Sequence, residues 1–263
     1  MNILDKIIRH KKNEIDYLKL NYSISQLESS SFFERDTISL KSKLISSNSG
    51  IIAEHKRKSP SKDIINNNLK IQDVIHGYQH AGVCGISVLT DLDFFGGTND
   101  DLKITREIFE GPILRKEFIL DEFQIIESKS LGADVILLIA SVLTKQEIFK
   151  LSKLAKELNL EVLAEVHNEN ELDKVLNPYI DLIGVNNRDL KIFKTDINIS
   201  KNISKKIPSD FLKISESGIY NYNVVKDLRQ YGFKGFLIGE YFMKTINPGF
   251  TASEFIKKIE VWN

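Results

Sequence analysis

From Gly50 onward, short apolar runs alternate with longer stretches in which apolar residues recur at helical spacing. The runs are GIIAE (50–54), ISVL (86–89), PILRK (112–116), DVILLIA (134–140), EVLAE (161–165), DLIGV (181–185), FLKIS (211–215) and GFLIG (235–239). Near-continuous apolar runs mark strands buried on both faces. Their starts lie roughly 20–36 residues apart, which leaves room for a crossover helix each time. Helical patterns are clear over 145–158 and 221–231. Eight such units without a surplus strand predict a (β/α)8 TIM barrel in the α/β class. The alternative is an open doubly wound sheet, but no G-x-G-x-x-G follows the first run, which disfavours a dinucleotide fold. Before Gly50, Ile3, Leu4, Ile7, Ile8, Ile15 and Leu18 predict a helix with one packing stripe. A Ser-rich stretch containing Ser29, Ser30 and Ser31 follows, and a second helix is expected over 39–46. The chain thus reads as one barrel domain, 1–263, with 1–49 as an N-terminal helical extension.

Polar residues gather at one end of these runs. In a parallel barrel, catalytic groups stand at the C-terminal ends of strands and in the loops just beyond. Here those ends carry Glu54-His55-Lys56-Arg57, Arg115-Lys116-Glu117, Glu165, Asn186-Asn187-Arg188, Glu216-Ser217-Gly218 and Gly239-Glu240. Side chains two apart on a strand share a face. Glu54 and Lys56 therefore point together into the barrel, and His55 points outward beneath a helix. The other histidines, His10, His76, His80 and His167, read as surface or packed residues of helices and loops. Any one of these charges is well explained by a structural ion pair. Lys56, Lys116, Arg188, Glu54 and Glu165 together are better explained by a substrate-binding mouth. Crowded cations there would invite an anion and depress a lysine pKa. Glycines at the ends of runs seven and eight, where TIM barrels commonly hold phosphate, favour a phosphorylated ligand. Ser59-Pro60-Ser61 adds donors, and Phe94, Phe95 and Phe118 are placed to cover an aromatic ring.

Composition narrows the partners. The chain has 36 Lys+Arg and 36 Asp+Glu, so no overall field draws it to nucleic acid or an anionic membrane. Its single cysteine, Cys84, excludes an internal disulfide and points to a reducing compartment. The amphipathic start lacks the apolar core of a signal peptide, and no run approaches the ~18 apolar residues of a membrane span. A cytoplasmic protein acting on a small molecule is expected, with no metal site.

The stretches IIAEHKRKSPSK (51–62), SVLTDLDFFGG (87–97), PILRKEFILDEFQI (112–125), LEVLAEVHNENEL (160–172), IGVNNRDL (183–190), ISESGIY (214–220) and FLIGEYFM (236–243) together resemble the indole-3-glycerol phosphate synthase family. The resemblance covers essentially the whole chain. It implies ring closure of 1-(2-carboxyphenylamino)-1-deoxyribulose 5-phosphate with loss of carbon dioxide and water, in tryptophan biosynthesis and without a cofactor. It further implies Lys116 as general acid, Glu165 as general base and Lys56 as holder of the substrate carboxylate. Glu54 would orient Lys116 or the substrate hydroxyls, and Asn186 and Arg188 would form a polar pair around carboxylate and sugar. Ser59, Ser217, Gly218, Gly239 and Glu240 fall to the phosphate cradle and its neighbours. Phe94, Phe118, Leu138, Leu190 and Leu237 fall to the apolar wall. The family's N-terminal extension is helical and lies across the barrel mouth. A monomer is expected, with room for association with other enzymes of the pathway. Asp63, Glu117 and Tyr241-Phe242 depart from the family pattern without touching the acid or base. Two rival readings remain. One is another phosphosugar barrel such as phosphoribosylanthranilate isomerase, which would lack paired lysines in one pocket. The other is a non-catalytic phospholigand-binding barrel.

Overall fold

The computed structural model describes residues 3–60, 64–189 and 193–261. Three helices precede the first strand: α1 (Ile3–Asn21), α2 (Ile24–Glu28) and α3 (Leu40–Ser46). The repeating part then runs β1 (Ile51–His55), α4 (Ile71–Ala81), β2 (Gly85–Leu89), α5 (Leu92–Phe95), α6 (Asn99–Ile108), β3 (Ile113–Lys116) and α7 (Glu122–Ser130). It continues with β4 (Val135–Ile139), α8 (Lys145–Glu157), β5 (Glu161–Val166), α9 (Glu169–Val175), β6 (Leu182–Asn186) and α10 (Asn198–Ser204). β7 (Leu212–Glu216), α11 (Tyr222–Arg229), β8 (Phe233–Ile238), α12 (Glu240–Met243) and α13 (Pro248–Glu260) complete it. The strands close a parallel barrel in sequence order, β8 pairing with β1. Each of the eight apolar runs is one of these strands, with bounds shifted by at most two residues. Helix starts are set by side-chain caps. Thr98, Asp121 and Thr144 each accept a backbone N–H from the first turn in a reciprocal capping box.

Alternation along the strands sorts the apolar side chains into two cores. Ile52, Leu114, Val135, Leu137, Leu163, Leu182, Leu212 and Ile214 fill the barrel interior. Ile51, Ala53, Ile86, Val88, Ile136, Leu138 and Val162 face outward against the helices. Register carries the same order into the polar layer, where Ile139 is level with Glu165 and Asn186 with Glu216.

The N-terminal extension does more than cross the mouth. Only α1 lies there. The chain then descends the outside of the barrel, where Ser30 Oγ donates to the Ser130 carbonyl at 2.6 Å. It turns under the opposite end, where α3 inserts Leu40 and Leu44 into the base of the interior core. Burial of two leucines contributes roughly 3–6 kcal/mol before entropy is counted. Two acids, the buried Asp134 and the half-buried Glu161, hold this turn. Asp134 accepts from Arg35 Nη2 (2.6 Å), Ile38 N (2.8 Å), Arg106 Nη1 (2.9 Å) and Ile113 N (2.8 Å). Glu161 accepts from Ser39 Oγ (2.5 Å) and from the first two N–H groups of α3, those of Leu40 and Lys41.

His55 faces outward as its place beside Glu54 predicts, and it is 1% exposed. Neither ring nitrogen has a hydrogen-bond partner. Burial, reinforced by Arg57, pushes its pKa down to about 4 despite opposing pulls from Asp101 and Glu54. The unfolded chain takes up a proton near pH 6.5 that the folded chain refuses until about pH 4. Stability therefore falls as pH drops through that window, by about 3 kcal/mol in all. His55→Leu removes this contribution. The gap between urea unfolding free energies at pH 7 and pH 4.5 is expected to narrow by roughly 2 kcal/mol in the variant. An unchanged gap would show that the imidazole accepts its proton in place.

Candidate active site

At the C-terminal end of the strands a cavity of about 300 Å³ opens beneath α1. Glu54, Lys56, Lys116, Glu165, Asn186, Arg188, Ser59, Phe118, Ser217, Gly218, Leu237, Gly239 and Glu240 all line it. They come from several different strand ends and following loops, and barrel closure is what brings them together.

The centre of the site is an ion cluster. Lys116 Nζ donates to Glu165 Oε2 at 3.1 Å and also to Glu216. Asn186 Nδ2 donates to the other oxygen of Glu165 at 3.2 Å. Lys56 pairs with Glu54 at 2.6 Å, and Arg188 with Glu240 at 3.3 Å. Glu54 thus holds Lys56 and not Lys116, whose carboxylate partners are Glu165 and Glu216. The crowded cations each have an acid within reach. Lys116 shows the consequence. Burial opposes its charge, but Glu216, Glu165 and Glu54 outweigh burial and raise its pKa instead of depressing it. Glu165 is likewise buried, yet Lys116 and His167 hold it below the usual carboxylate range. Glu216 carries the strain of the cluster. Burial and the neighbouring Glu165 push its pKa up to about 7, against the pull of Lys116.

One side of the cavity is built from the ends of β7 and β8. Ser217 and Gly218 both adopt left-handed backbone, at φ 65° and 78°. A Cβ at Gly218 would sit 2.7 Å from Thr195 Cγ2. A Cβ at Gly239 would meet Glu54 Oε1 at 2.5 Å. A side chain at Gly218 would be strained by the left-handed backbone, and one at Gly239 would push the Glu54 carboxylate aside.

Two wall residues need correction. Leu138 faces outward into the core beneath the helices, while Leu137 and Ile139 face the cavity. In an unbroken apolar run, parity is invisible without a polar neighbour to set it. Phe94 packs edge-on against His10 of α1, its ring centroid 5.7 Å away. Its neighbour Phe95 lines the cavity and lies 6.0 Å from the ring of Phe118. Leu190, together with Ser61 and Asp63, lies outside the described residues. Several lining residues go unassigned in the sequence. Glu216 stands two positions after Ile214 on the inward face, a signal available from alternation. Ile3, Leu4 and Ile7 of α1 roof the cavity, and Tyr241 and Lys244 stand at its rim.

Glu117 lies just outside Lys116. It accepts from Thr90 Oγ1 at 2.7 Å and from its neighbour's N–H at Phe118, and it pairs with Lys11 at 3.0 Å. Lys11 projects from the buried stripe of α1 and also reaches Asp91 at 3.1 Å and Glu14 at 2.7 Å. The roof helix is thereby tied to the strand that carries Lys116. Among the described residues, no cluster of His, Cys, Asp and Glu is arranged to hold a metal ion, and no helix is long and apolar enough to cross a membrane.

Residues 4–255 match a model of the family described as Indole-3-glycerol phosphate synthase. A protein of that name from Bacteroides thetaiotaomicron is 45% identical over 259 residues, covering 98% of this chain and 99% of its own. Another, from Thermoanaerobacter pseudethanolicus, is 39% identical over 258 residues, covering 97% and 98%. Among solved structures, 3-hexulose-6-phosphate synthase from Salmonella typhimurium aligns with a TM-score of 0.65 at 15% identity, covering 81% of this chain and 99% of that one. The tryptophan synthase alpha subunit of Legionella pneumophila gives 0.60 at 10%, covering 84% and 97%. Likeness at such identities speaks for the barrel alone. The full-length match to the family model and to relatives well above 30% identity is of another kind, and by it this chain belongs to the indole-3-glycerol phosphate synthase family.

Proposed function

We propose that this protein closes the indole ring of indole-3-glycerol phosphate from 1-(2-carboxyphenylamino)-1-deoxyribulose 5-phosphate, as a carboxy-lyase of tryptophan biosynthesis. One observation carries the reading: the ammonium of Lys116 and the carboxylate of Glu165 meet at 3.1 Å in a cavity that Lys56 also lines. A non-catalytic barrel has no use for an acid and a base so placed. The isomerase reading is disfavoured because both lysines share one pocket.

The chemistry follows from the charges. Lys116 is protonated at neutral pH and can give a proton to the ketone oxygen while the ring carbon bearing the carboxylate attacks the ketone carbon. That carboxylate, held by Lys56, leaves as carbon dioxide, and its electron pair restores the ring. The new hydroxyl then leaves as water with a proton from Lys56, while the adjacent carbon, the one bonded to the ring nitrogen, gives up its hydrogen as a proton. Glu165, held ionised, takes up that proton. Phe95, Phe118, Leu137 and Ile139 offer an apolar wall to the aromatic ring. Gly218, Gly239 and Ser59 offer donors to the phosphate, with Asn186 and Arg188 around the carboxylate and the sugar. The expected form is a monomer working on a small phosphosugar. A cytoplasmic location fits the single free thiol, which is buried.

The direct test supplies the carboxyphenylamino-deoxyribulose phosphate and follows indole fluorescence. Absence of any product with intact protein would refute the reading. Glu165→Gln should lower turnover by about a hundredfold or more. It should also let a decarboxylated, still hydroxylated intermediate accumulate in a rapid-quench experiment. Wild-type rates with no intermediate would remove Glu165 from the role of base.

A further inference from the structure

β5 carries Glu165, and His167 follows two residues on, so both lean toward the same side of the barrel. His167 does not line the cavity; its side chain is 11% exposed and stands behind Glu165. Its Nδ1 lies 3.0 Å from Glu171 Oε2, and the same oxygen accepts the His167 backbone N–H at 2.8 Å. Glu171 is fixed in turn at the start of α9, its Oε1 accepting from Asn168 Nδ2 at 2.8 Å. An ionised carboxylate only accepts, so Nδ1 bears a hydrogen. That leaves Nε2 buried, without a hydrogen bond of its own, facing Glu165 Oε1 at 3.5 Å. Two lone pairs facing each other there would repel. The contact is attractive only with a proton on one side of it.

We infer that His167 is a positioning residue for Glu165: anchored by Glu171, it keeps a proton at Nε2 directed at Oε1, and so holds the base both oriented and ionised. The inference rests on the reading of Glu165 as the base. His167 itself touches no substrate and keeps its proton throughout the cycle. The charged groups facing it are Glu165 from β5, Glu171 from α9 and Glu216 from β7. Burial disfavours the imidazolium, but these carboxylates outweigh burial and raise its pKa. The charged form is therefore complete below the ordinary imidazole value and is lost only as pH rises through the higher, folded one.

The test is an NMR titration of the labelled imidazoles in the full chain, joined to kinetics. His167 should titrate above about 6.5, the ordinary value, with its hydrogen on Nδ1 in the neutral form. Glu165→Gln and Glu171→Gln should each lower that midpoint by about one unit. His167→Gln should lower kcat about tenfold through loss of the N–H that orients Glu165, with KM changed less than about twofold. It should also abolish the fall of kcat that accompanies loss of the imidazolium at alkaline pH. A wild-type midpoint at or below the ordinary value, a midpoint indifferent to Glu165→Gln, or an unchanged pH profile in His167→Gln would overturn the inference. The wild-type titration needs no variant to fold. A midpoint that responds as described in a protein that makes no indole product would support the pairing and refute the reaction instead.

Discussion

Turnover of the Lys116→Met variant is expected to fall about a thousandfold while the barrel stays folded. The loss follows from what Lys116 holds: the one ammonium placed between Glu165 and Glu216 is the proton source for the ketone oxygen, and a thioether offers none. General acids contribute about a hundred- to ten-thousandfold, and this one also keeps Glu165 ionised, so a value in the upper half is expected. The fold survives because the acids left behind can share a proton. Glu216 already sits at a pKa of about 7 with Lys116 present, and without it Glu216 becomes neutral at physiological pH. Single-turnover fluorescence measures the first effect, and the thermal midpoint, held within a few degrees, measures the second. Near wild-type turnover would mean that another group supplies the proton.

Lys11→Met should produce the largest loss of stability, about 3 kcal/mol. Lys11 is 1% exposed and stands between Asp91, also 1% exposed, and Glu117, 3% exposed. Removing the cation leaves two acids buried near one another, which costs far more than losing a surface pair. The sign with pH is definite. Although burial opposes ionisation of Glu117, Lys11 and Arg115 hold its pKa below the ordinary value. The stability it confers is complete above that value, about 4.3, and fades as pH falls through the folded one. The difference between wild type and variant in urea should therefore be widest above about pH 5 and shrink in acid. A double variant with Glu117→Gln should lose less than the sum of the single losses. Strict additivity would show that the two side chains do not act together.

Much of the fold and of the site is legible in the order of the residues. The eight strands stand out because a parallel barrel buries both faces of each, which leaves long apolar words in the chain. The step of two from Glu54 to Lys56 separates the inward residues from His55. The same rule leads from Ile214 to Glu216 and from Glu165 to His167, but a histidine in a polar stretch looks like a loop residue until its neighbours are placed. Lys11 is hidden in another way. It occupies the position between Ile7 and Ile15 in the helical stripe, and a lone charge there looks like a blemish when the acids that neutralise it lie about eighty and a hundred residues away. Leu138 and Phe94 mislead because adjacent residues of the same kind give no clue to which one turns inward. The descent of the extension to the far end of the barrel is not legible at all, since its anchors, Asp134 and Glu161, flank strands that the N-terminal segment neither resembles nor adjoins.

That descent matters for how the protein is made. The hydrogen bonds from Arg35 to Asp134 and from Ser39 to Glu161 join residues 99 and 122 positions apart. A ribosome therefore releases the stopper long before the bottle has a neck. Until β4 and β5 emerge, Leu40 and Leu44 have nowhere to go, and the half-built sheet presents open rows of leucine and isoleucine to the cell. Contacts of such long range form slowly, so the nascent chain passes through a stage in which chaperones have something to hold.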